Sequence, residues 1–294
     1  TDKRIVMTLD AGGTNFVFSA IQGGKEIVAP FTLSANPNHL ESCLETLKQG
    51  FIHIKENLPN GPVAISFSFP GPADYPSGII GDLPNFPSFR GGIALGPYLE
   101  EIFKIPVFIN NDGNLFAYGE ALTGVLPEVN EKLKSSGSIK SFRNLLGVTL
   151  GTGFGCGVVL DGKLLLGDNA AGGDIWCFRN KKYSQFIAEE NVSIRAVKRV
   201  YAEYSGDKTA LTPKDIFDIA EGNMSGDRNA AIKSYEELGE IAGDAIAAAI
   251  TIVDVIIVNG GGLSGASKYI IPAMIRELNG STGMMTCKRW HRIL

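Results

Sequence analysis

The chain has 294 residues, of which 44% are hydrophobic and 20% charged, and its formal net charge is −4. This length and apolar content predict two globular domains with sizeable cores. Because the lysines and arginines form no basic block, the sequence argues against a nucleic-acid partner and against an anionic membrane surface.

Four cysteines and three histidines are scattered along the chain without a C-x-x-C pair, so the sequence predicts neither a disulfide framework nor a zinc site. The first residues show no signal-peptide pattern, and the longest apolar helix candidate, 246–258, is too short to span a bilayer. We therefore expect a cytoplasmic protein whose partners are small molecules.

The first elements in chain order are three predicted strands, KRIVMTLD, NFVFSAIQ and KEIVAPFTL, with a Gly23-Gly24 hairpin turn between the last two. Apolar residues at helical spacing predict a helix over 38–57, and the buried strand GPVAISFSF then ends in the turn PGPADYPSG. A short helix GPYLEEIF, a strand IPVFIN and a helix DGNLFAYGEAL follow, with Asp112 near the N-cap of the last. This alternation predicts an α/β fold.

The second half opens with LLGVTLGTGFGCGVVLDGKLLLG, which predicts a strand, a glycine turn, a strand, an Asp161-Gly162 hairpin and another strand. Helices are predicted over 183–204 and 227–250, followed by a strand IVDVIIV, the turn NGGGLSG and a last helix over 268–278. The opening resembles the start of the chain, which suggests a duplication; two unrelated hairpins that both need glycine are the alternative. We place the domains at 1–113 and 114–294.

Glycine turns follow three of the apolar strands, in AGGT, LGTGFG and NGGGLS. Glycine lets backbone N–H groups approach an anion closely, and threonines in two of these turns add hydroxyl donors. In a Walker loop or a dinucleotide fingerprint the glycines open a helix, whereas a strand follows the first turn here. The three turns together predict a site for a di- or triphosphate clamped between two domains.

Several motifs resemble one family. LDAGGTN is similar to the first phosphate motif of sugar kinases in the actin-like ATPase superfamily. SFPGPAD, NNDGN, LGTGFGCGVVLDGKL and VIIVNGGGLS, in that order, resemble the ROK family (repressor, open reading frame, kinase). The resemblance implies a two-domain actin-like ATPase (ribonuclease H-like) α/β fold with a cleft between the domains. It implies ATP-dependent phosphorylation of a hexose or amino-sugar hydroxyl with Mg²⁺, and it is compatible with a homodimer.

The resemblance also implies roles for single residues. Asp112 would be the catalytic base, and Gly71, Asn111, Asp112 and Asp174 would bind the sugar. Asp10 would help organise the Mg²⁺ indirectly. The nucleotide would be bound by Asp10, Gly12, Gly13, Thr14, Gly151, Thr152, Gly153, Gly260, Gly261 and Gly262. For Asp112 the alternative is a plain helix N-cap, a common use of aspartate.

The chain departs from the family pattern after the second phosphate motif. The resemblance implies a glutamate and a histidine three residues apart there, followed by a cysteine-rich zinc motif. This chain has AGGDIWCFRNKK instead, with Asp174 as the carboxylate and Trp176 and Cys177 where a histidine is expected. We therefore expect no zinc, and Trp176 either stacks on a pyranose ring or packs in the core or at an interface.

These departures leave a second function open, a non-catalytic sugar-responsive protein or regulator of the same family. Because only nine residues precede Asp10, we expect no DNA-binding domain. The closing segment GSTGMMTCKRWHRIL shows no helical period and does not look like the long final helix that the resemblance implies.

Overall fold

The structure is a computed structural model and describes residues 2–71, 73–83 and 86–280. The closing segment discussed above, with Cys287 and His291, therefore lies outside the described residues after Gly280. The chain divides into two compact units, one ending at Leu115 and the other beginning at Phe116. The domain ranges 1–113 and 114–294 stay a prediction.

The first unit is an α/β unit. Its elements are β1 (Ile5–Ala11), β2 (Asn15–Gln22), β3 (Lys25–Glu26), β4 (Phe31–Ser34), α1 (Leu40–Glu56), β5 (Ala64–Ser68), β6 (Ala73–Asp74), β7 (Ile79–Ile80), β8 (Ile93–Ala94), α2 (Leu95–Phe103), β9 (Val107–Asn110) and the first turn of α3 (Asp112–Leu122). The main sheet has the order β3-β2-β1-β5-β9, with β4 also paired to β2. Strands β1, β5 and β9 run parallel, so their carboxyl ends share one edge.

Side-chain alternation along β1 fixes which face of this sheet is buried. Ile5, Met7 and Leu9 lie in the core, whereas Asp10 is exposed at the end of the strand. Helix α1 packs on β1, β2 and β4 with a buried stripe that includes Leu47 and Phe51. The ends of these strands are therefore positioned by a packed apolar core.

The second unit is also α/β. Its elements are the rest of α3, α4 (Val125–Ser135), β10 (Leu145–Leu150), β11 (Phe154–Leu160), β12 (Lys163–Leu164), α5 (Ile194–Ser205), α6 (Pro213–Glu221), α7 (Arg228–Val253), β13 (Ile256–Gly260) and α8 (Ser267–Leu278). The sheet has the order β12-β11-β10-β13. Strand β10 is antiparallel to β11 and parallel to β13, which repeats the relation of β1 to β2 and β5. Helices α5, α6 and α8 all pack on α7.

Three predicted elements were wrong in extent. KEIVAPFTL forms two strands, β3 and β4, because Pro30 lies between them and lacks the N–H that a ladder needs. The helix predicted over 183–204 begins only at Ile194, after its N-cap Ser193. The strand IVDVIIV begins only at Ile256, since α7 runs on to Val253 and ends at Asp254 with a left-handed φ of 44°.

Other elements were missed altogether. Helix α4 was not predicted, and neither was α6, although α6 has a sequence signal in the capping box of Thr212 and Asp215 with proline at the first position. The turn PGPADYPSG contains β6, which pairs with β7. Among the described residues, no helix is long and apolar enough to cross a membrane.

Candidate active site

Three polar residues line up across the carboxyl ends of the parallel strands in the first unit. Asp10 of β1 is in register with Ser68 of β5, and Ser68 is in register with Asn110 of β9. The amide of Phe69 continues the ladder by donating to the Asn110 carbonyl at 3.0 Å. The strand order therefore brings the segments after β1, β5 and β9 to one edge of the sheet. These segments contain most of the residues predicted to bind the sugar.

The turn after β1 is tight and exposed. Gly13 and Thr14 are exposed, and Gly12 is half-buried. A Cβ at Gly12 would lie 2.9 Å from the carbonyl oxygen of Asn15, so this position has no room for a side chain. The exposed Asp10 carboxylate stands beside this turn and offers the hard oxygen ligands that Mg²⁺ prefers, so the residues present suit that ion.

The start of α3 shows which residue caps the helix. The Gly113 amide is shared between Asn111 Oδ1 at 2.8 Å and Asp112 Oδ1 at 2.9 Å. The Asn111 carbonyl also accepts the first helical hydrogen bond, from Leu115 N at 3.0 Å. Asn111 is therefore the N-cap, and the reading of Asp112 as the cap was wrong. Asp112 is exposed, and its second carboxylate oxygen makes no hydrogen bond to the described residues.

Two asparagines to which the sequence analysis gave no role, Asn110 and Asn114, stabilise the connection between β9 and α3. Asn110 Oδ1 accepts from Asn111 N at 2.8 Å and from Asn114 Nδ2 at 3.1 Å. Asn114 is 7% exposed, and its Oδ1 finds no partner among the described residues. The motif NNDGN contains both residues, but only the bend of the chain after β9 brings them into contact.

Gly71 lies in the loop after β5 beside Tyr75. A Cβ at Gly71 would lie 2.9 Å from the Tyr75 hydroxyl, which itself donates to the Phe69 carbonyl at 3.0 Å. Asn111 Nδ2 lies 3.5 Å from the same hydroxyl, at the outer limit of a hydrogen bond. Tyr75 thus connects the loop of Gly71 with the cap residue Asn111.

In the second unit, two predicted nucleotide-binding turns are neighbours. The turn 151–153 joins β10 to β11, and 260–262 follows β13, which is paired with β10. A Cβ at Gly151 would lie 3.9 Å from Gly262 N. Gly261 has a φ of 92°, and a Cβ there would lie 2.5 Å from the Leu150 carbonyl oxygen, so this position requires glycine. Thr152 is exposed at the tip of its turn.

A carboxylate that sequence reasoning missed supports the turn 151–153. Glu189 Oε2 accepts from Phe154 N at 3.0 Å, and Gly153 leaves room for it, because a Cβ there would come within 2.5 Å of the same oxygen. Ile194 N donates to the Gly151 carbonyl at 2.8 Å. The backbone of this turn is therefore fixed from both sides. No sequence signal marks Glu189, since it lies 35 positions from its partner.

Asp174 is half-buried in the loop before a 3₁₀ turn at Ile175–Cys177. Burial, and in addition the negative charge of Asp174, raise the pKa of the Cys156 thiol to about 12, so Asp174 lies near that strand residue. The Cys177 thiol donates to the Asp174 carbonyl at 2.8 Å. Trp176 is 37% exposed, which argues against a place in the core.

The predicted residues therefore form one group at the strand ends of the first unit and another in the second unit. The first group contains Asp10, Gly12, Gly13, Thr14, Gly71, Asn111 and Asp112, and the second contains Gly151, Thr152, Gly153, Gly260, Gly261 and Gly262. Asp174 also lies in the second unit, in the loop before Ile175–Cys177. Within the described ranges, no group of three or more His, Cys, Asp or Glu could hold a metal ion by itself. Any Mg²⁺ would thus depend on phosphate oxygens and water as well.

Comparison with known proteins identifies the family. The sequence matches the ROK family over residues 6–285. The chain belongs to the ROK family. One relative, N-acetyl-D-glucosamine kinase of Vibrio cholerae, is 27% identical over 273 residues, which covers 87% of this chain and 83% of the relative. Another, glucokinase of Thermotoga maritima, is 25% identical, covering 91% of this chain and 85% of the relative.

Solved structures agree with this assignment. The crystal structure of a glucokinase from Parabacteroides distasonis is 70% identical, with a TM-score of 0.91, covering 97% of this chain and 80% of that one. A ROK glucokinase from Streptomyces griseus, solved with glucose and AMPPNP, shares the fold at 20% identity, with a TM-score of 0.69 and coverage of 94% and 90%. This chain therefore has the two-domain α/β fold of actin-like ATPases, as the motifs predicted.

Proposed function

We propose that this ROK protein transfers the γ-phosphoryl group of ATP to a hydroxyl of a hexose, and that glucose is the first substrate to test. Family membership and the relatives named as sugar kinases support the reaction class. The relative that shares 70% identity is named as a glucokinase, which favours glucose. The observation that carries the proposal is the Asp112 carboxylate, which is exposed at the strand ends while Asn111 caps the helix.

In this proposal Asp112 is the catalytic base. A sugar hydroxyl attacks the γ-phosphorus, and its proton passes to the Asp112 carboxylate. The new bond joins the sugar oxygen to phosphorus, and the bond from phosphorus to the β,γ-bridging oxygen breaks, so ADP leaves. Asn111, Gly71 and Asp174 would hold the sugar so that the reacting hydroxyl faces the carboxylate.

The nucleotide would lie against the glycine turns. Backbone N–H groups of 12–14 and 151–153 would bind phosphate oxygens, and 260–262 would lie against the adenosine. Mg²⁺ neutralises charge on the phosphates when it is bound. Asp10, with its exposed carboxylate beside the first turn, would orient that ion through its water ligands.

The test is ADP release with MgATP over a panel of glucose, mannose, N-acetylglucosamine and N-acetylmannosamine. We expect turnover with at least one of these sugars, and the highest kcat/KM with glucose. Folded protein that releases no ADP above background with any sugar would reject the kinase proposal. Calorimetric sugar binding without ADP release would instead favour the non-catalytic sugar-responsive protein.

A further inference from the structure

A carboxylate outside the proposed catalytic set is buried in the middle of helix α7. Glu237 is 1% exposed, and three donors surround it: Lys182 Nζ, Asn191 Nδ2 at 3.0 Å and the Tyr183 hydroxyl at 3.3 Å. An ionised carboxylate is costly to bury unless it is paired and hydrogen-bonded. Burial alone lowers the pKa of Lys182, but the hydrogen bond and charge of Glu237 outweigh it and raise that pKa. Lys182 therefore keeps its charge at neutral pH and faces the buried carboxylate directly.

All three donors come from one segment, residues 178–191, which folds around the carboxylate. Asn180 and Asn191 are each 1% exposed, and Asn180 Nδ2 donates to Asn191 Oδ1 at 2.9 Å. Asn180 Oδ1 accepts from the amides of Lys182 and Tyr183, each at 3.0 Å. The shape of the segment thus depends on a buried polar network centred on Glu237 rather than on a long helix or strand.

The two ends of this segment lie next to protein residues that we propose bind the sugar and the phosphates. At one end, the Phe178 carbonyl accepts a hydrogen bond from Ala188 N at 2.7 Å. Phe178 directly follows the 3₁₀ turn that begins after Asp174. At the other end, Glu189 holds the amide of Phe154, next to the turn 151–153. A movement of the segment would therefore displace Asp174 and the support of the phosphate turn together.

We propose that Glu237 is a positioning residue for phosphoryl transfer: it fixes segment 178–191, and through it Asp174 and the turn 151–153, without touching substrate. This inference rests on the proposed function. In this inference Glu237 and Lys182 stabilise the loop that follows Asp174 and supports the turn 151–153. Because the pair acts by position, its loss should weaken substrate binding more than it slows the chemical step.

The main test compares two neighbouring lysines that are equally exposed. Lys182 and Lys181 side chains are each 32% exposed, but Lys181 pairs with Glu240 and Glu277, which are more exposed than Glu237. Lys182→Met should raise KM for glucose on the order of tenfold, the scale of a slightly misplaced binding group, with a smaller change in kcat. Lys181→Met should leave KM for glucose near the wild-type value, since Glu240 and Glu277 stay in contact with solvent when their lysine is lost and neither makes another hydrogen bond to segment 178–191 among the described residues.

Glu237→Gln is the second variant, because it keeps the shape of the side chain while removing its charge, and it should also raise KM for glucose. Unchanged KM in both Lys182→Met and Glu237→Gln would overturn the inference, and so would an equal rise in Lys181→Met. If neither variant folds, hydrogen exchange of the wild type decides. Glucose should slow exchange at the amides of Lys182 and Tyr183, and no slowing would overturn the inference. Absence of turnover in the wild type would instead reject the proposed function.

Discussion

At the scale of single residues, Asn111 caps helix α3 and leaves the Asp112 carboxylate for the role of base that we propose. Asn111 accepts from the second helical amide at 2.8 Å and supplies the first helical carbonyl, so the helix start does not depend on a charge at position 112. Asp112 stands one residue further, exposed and with one oxygen outside any hydrogen bond to the described residues. A carboxylate that the fold does not need in this way is available to accept a proton.

Asp112→Asn tests this division. We expect kcat to fall by roughly 10²- to 10⁴-fold, the usual contribution of general acid–base catalysis, because the amide cannot accept the sugar proton. The free energy of unfolding should stay within about 0.5 kcal/mol of the wild type, since the cap is Asn111. Turnover and thermal unfolding are measured on the same sample. Full activity in the variant would remove Asp112 from the mechanism.

Two adjacent glycines allow a matched comparison in the third glycine turn. Gly261→Ala should destabilise the protein by about 1–3 kcal/mol, because its φ of 92° is strained for alanine and the new Cβ meets the Leu150 carbonyl. At Gly262 a Cβ would meet no atom of the described residues within 4 Å, so Gly262→Ala should leave stability unchanged. If this turn lies against the adenosine, Gly262→Ala should still raise KM for ATP. Equal melting temperatures for the two variants would contradict this account.

The places of several predicted site residues in the fold could be found from sequence because these residues lie at the ends of strands, whereas their roles stay a prediction. Asp10 and Asn111 come at the ends of apolar runs, and parallel strands bring them to one edge of the first sheet. The glycines at 151–153 follow an apolar run of the second unit, whose parallel strands β10 and β13 bring them beside 260–262. Glu189 and Glu237 could not be found in this way. Glu237 lies 46 positions from Asn191 and 55 from Lys182, and only the packing of the loop on α7 brings them together.

At the scale of elements, predictions succeeded where a periodic pattern had a clear end signal. Helix α1 and strand β10 were predicted within a few residues, and the Gly23-Gly24 and Asp161-Gly162 turns both have positive φ, as hairpin turns of this kind require. Residues 183–193 were wrongly predicted to be helical, and at the start of this stretch Asn180 Oδ1 accepts from the backbone amides of Lys182 and Tyr183. Tertiary hydrogen bonds, rather than helix propensity, determine the conformation there.

Helix α6 gives a prediction about pH. Its capping box pairs Thr212 N with Asp215 Oδ2 at 2.8 Å, and this backbone hydrogen bond, followed by that from the Thr212 hydroxyl, lowers the pKa of Asp215. A carboxyl whose pKa is lowered by folding contributes stability at pH values above its unfolded pKa of about 3.9. This contribution is lost as the pH falls through the folded-state pKa. Asp215→Asn should therefore melt below the wild type at pH 7. Its deficit should shrink below about pH 4, and a deficit that grew in acid would have the wrong sign.

At the scale of the whole molecule, the two units repeat one arrangement of strands. In each unit a strand ending in a glycine turn pairs antiparallel with the next strand and parallel with a strand that follows a helix. The orders β3-β2-β1-β5 and β12-β11-β10-β13 correspond step by step. This agreement extends the short sequence match around residues 8–14 and 149–153 to whole sheets, and it favours duplication over two unrelated hairpins.

For the whole molecule, we expect turnover to depend on a metal and stability not to. Glu237 and its three donors hold segment 178–191, so we expect this segment to keep its fold without a bound metal. Treatment with a chelator should therefore leave the melting temperature of the free protein unchanged, whereas phosphoryl transfer should stop, since phosphate charge is then no longer neutralised. Added Mg²⁺ should restore turnover, and Zn²⁺ at equal concentration should not. Elemental analysis that found one tightly bound zinc per chain, or a chelator-induced fall in melting temperature, would show that a structural metal contributes to this fold.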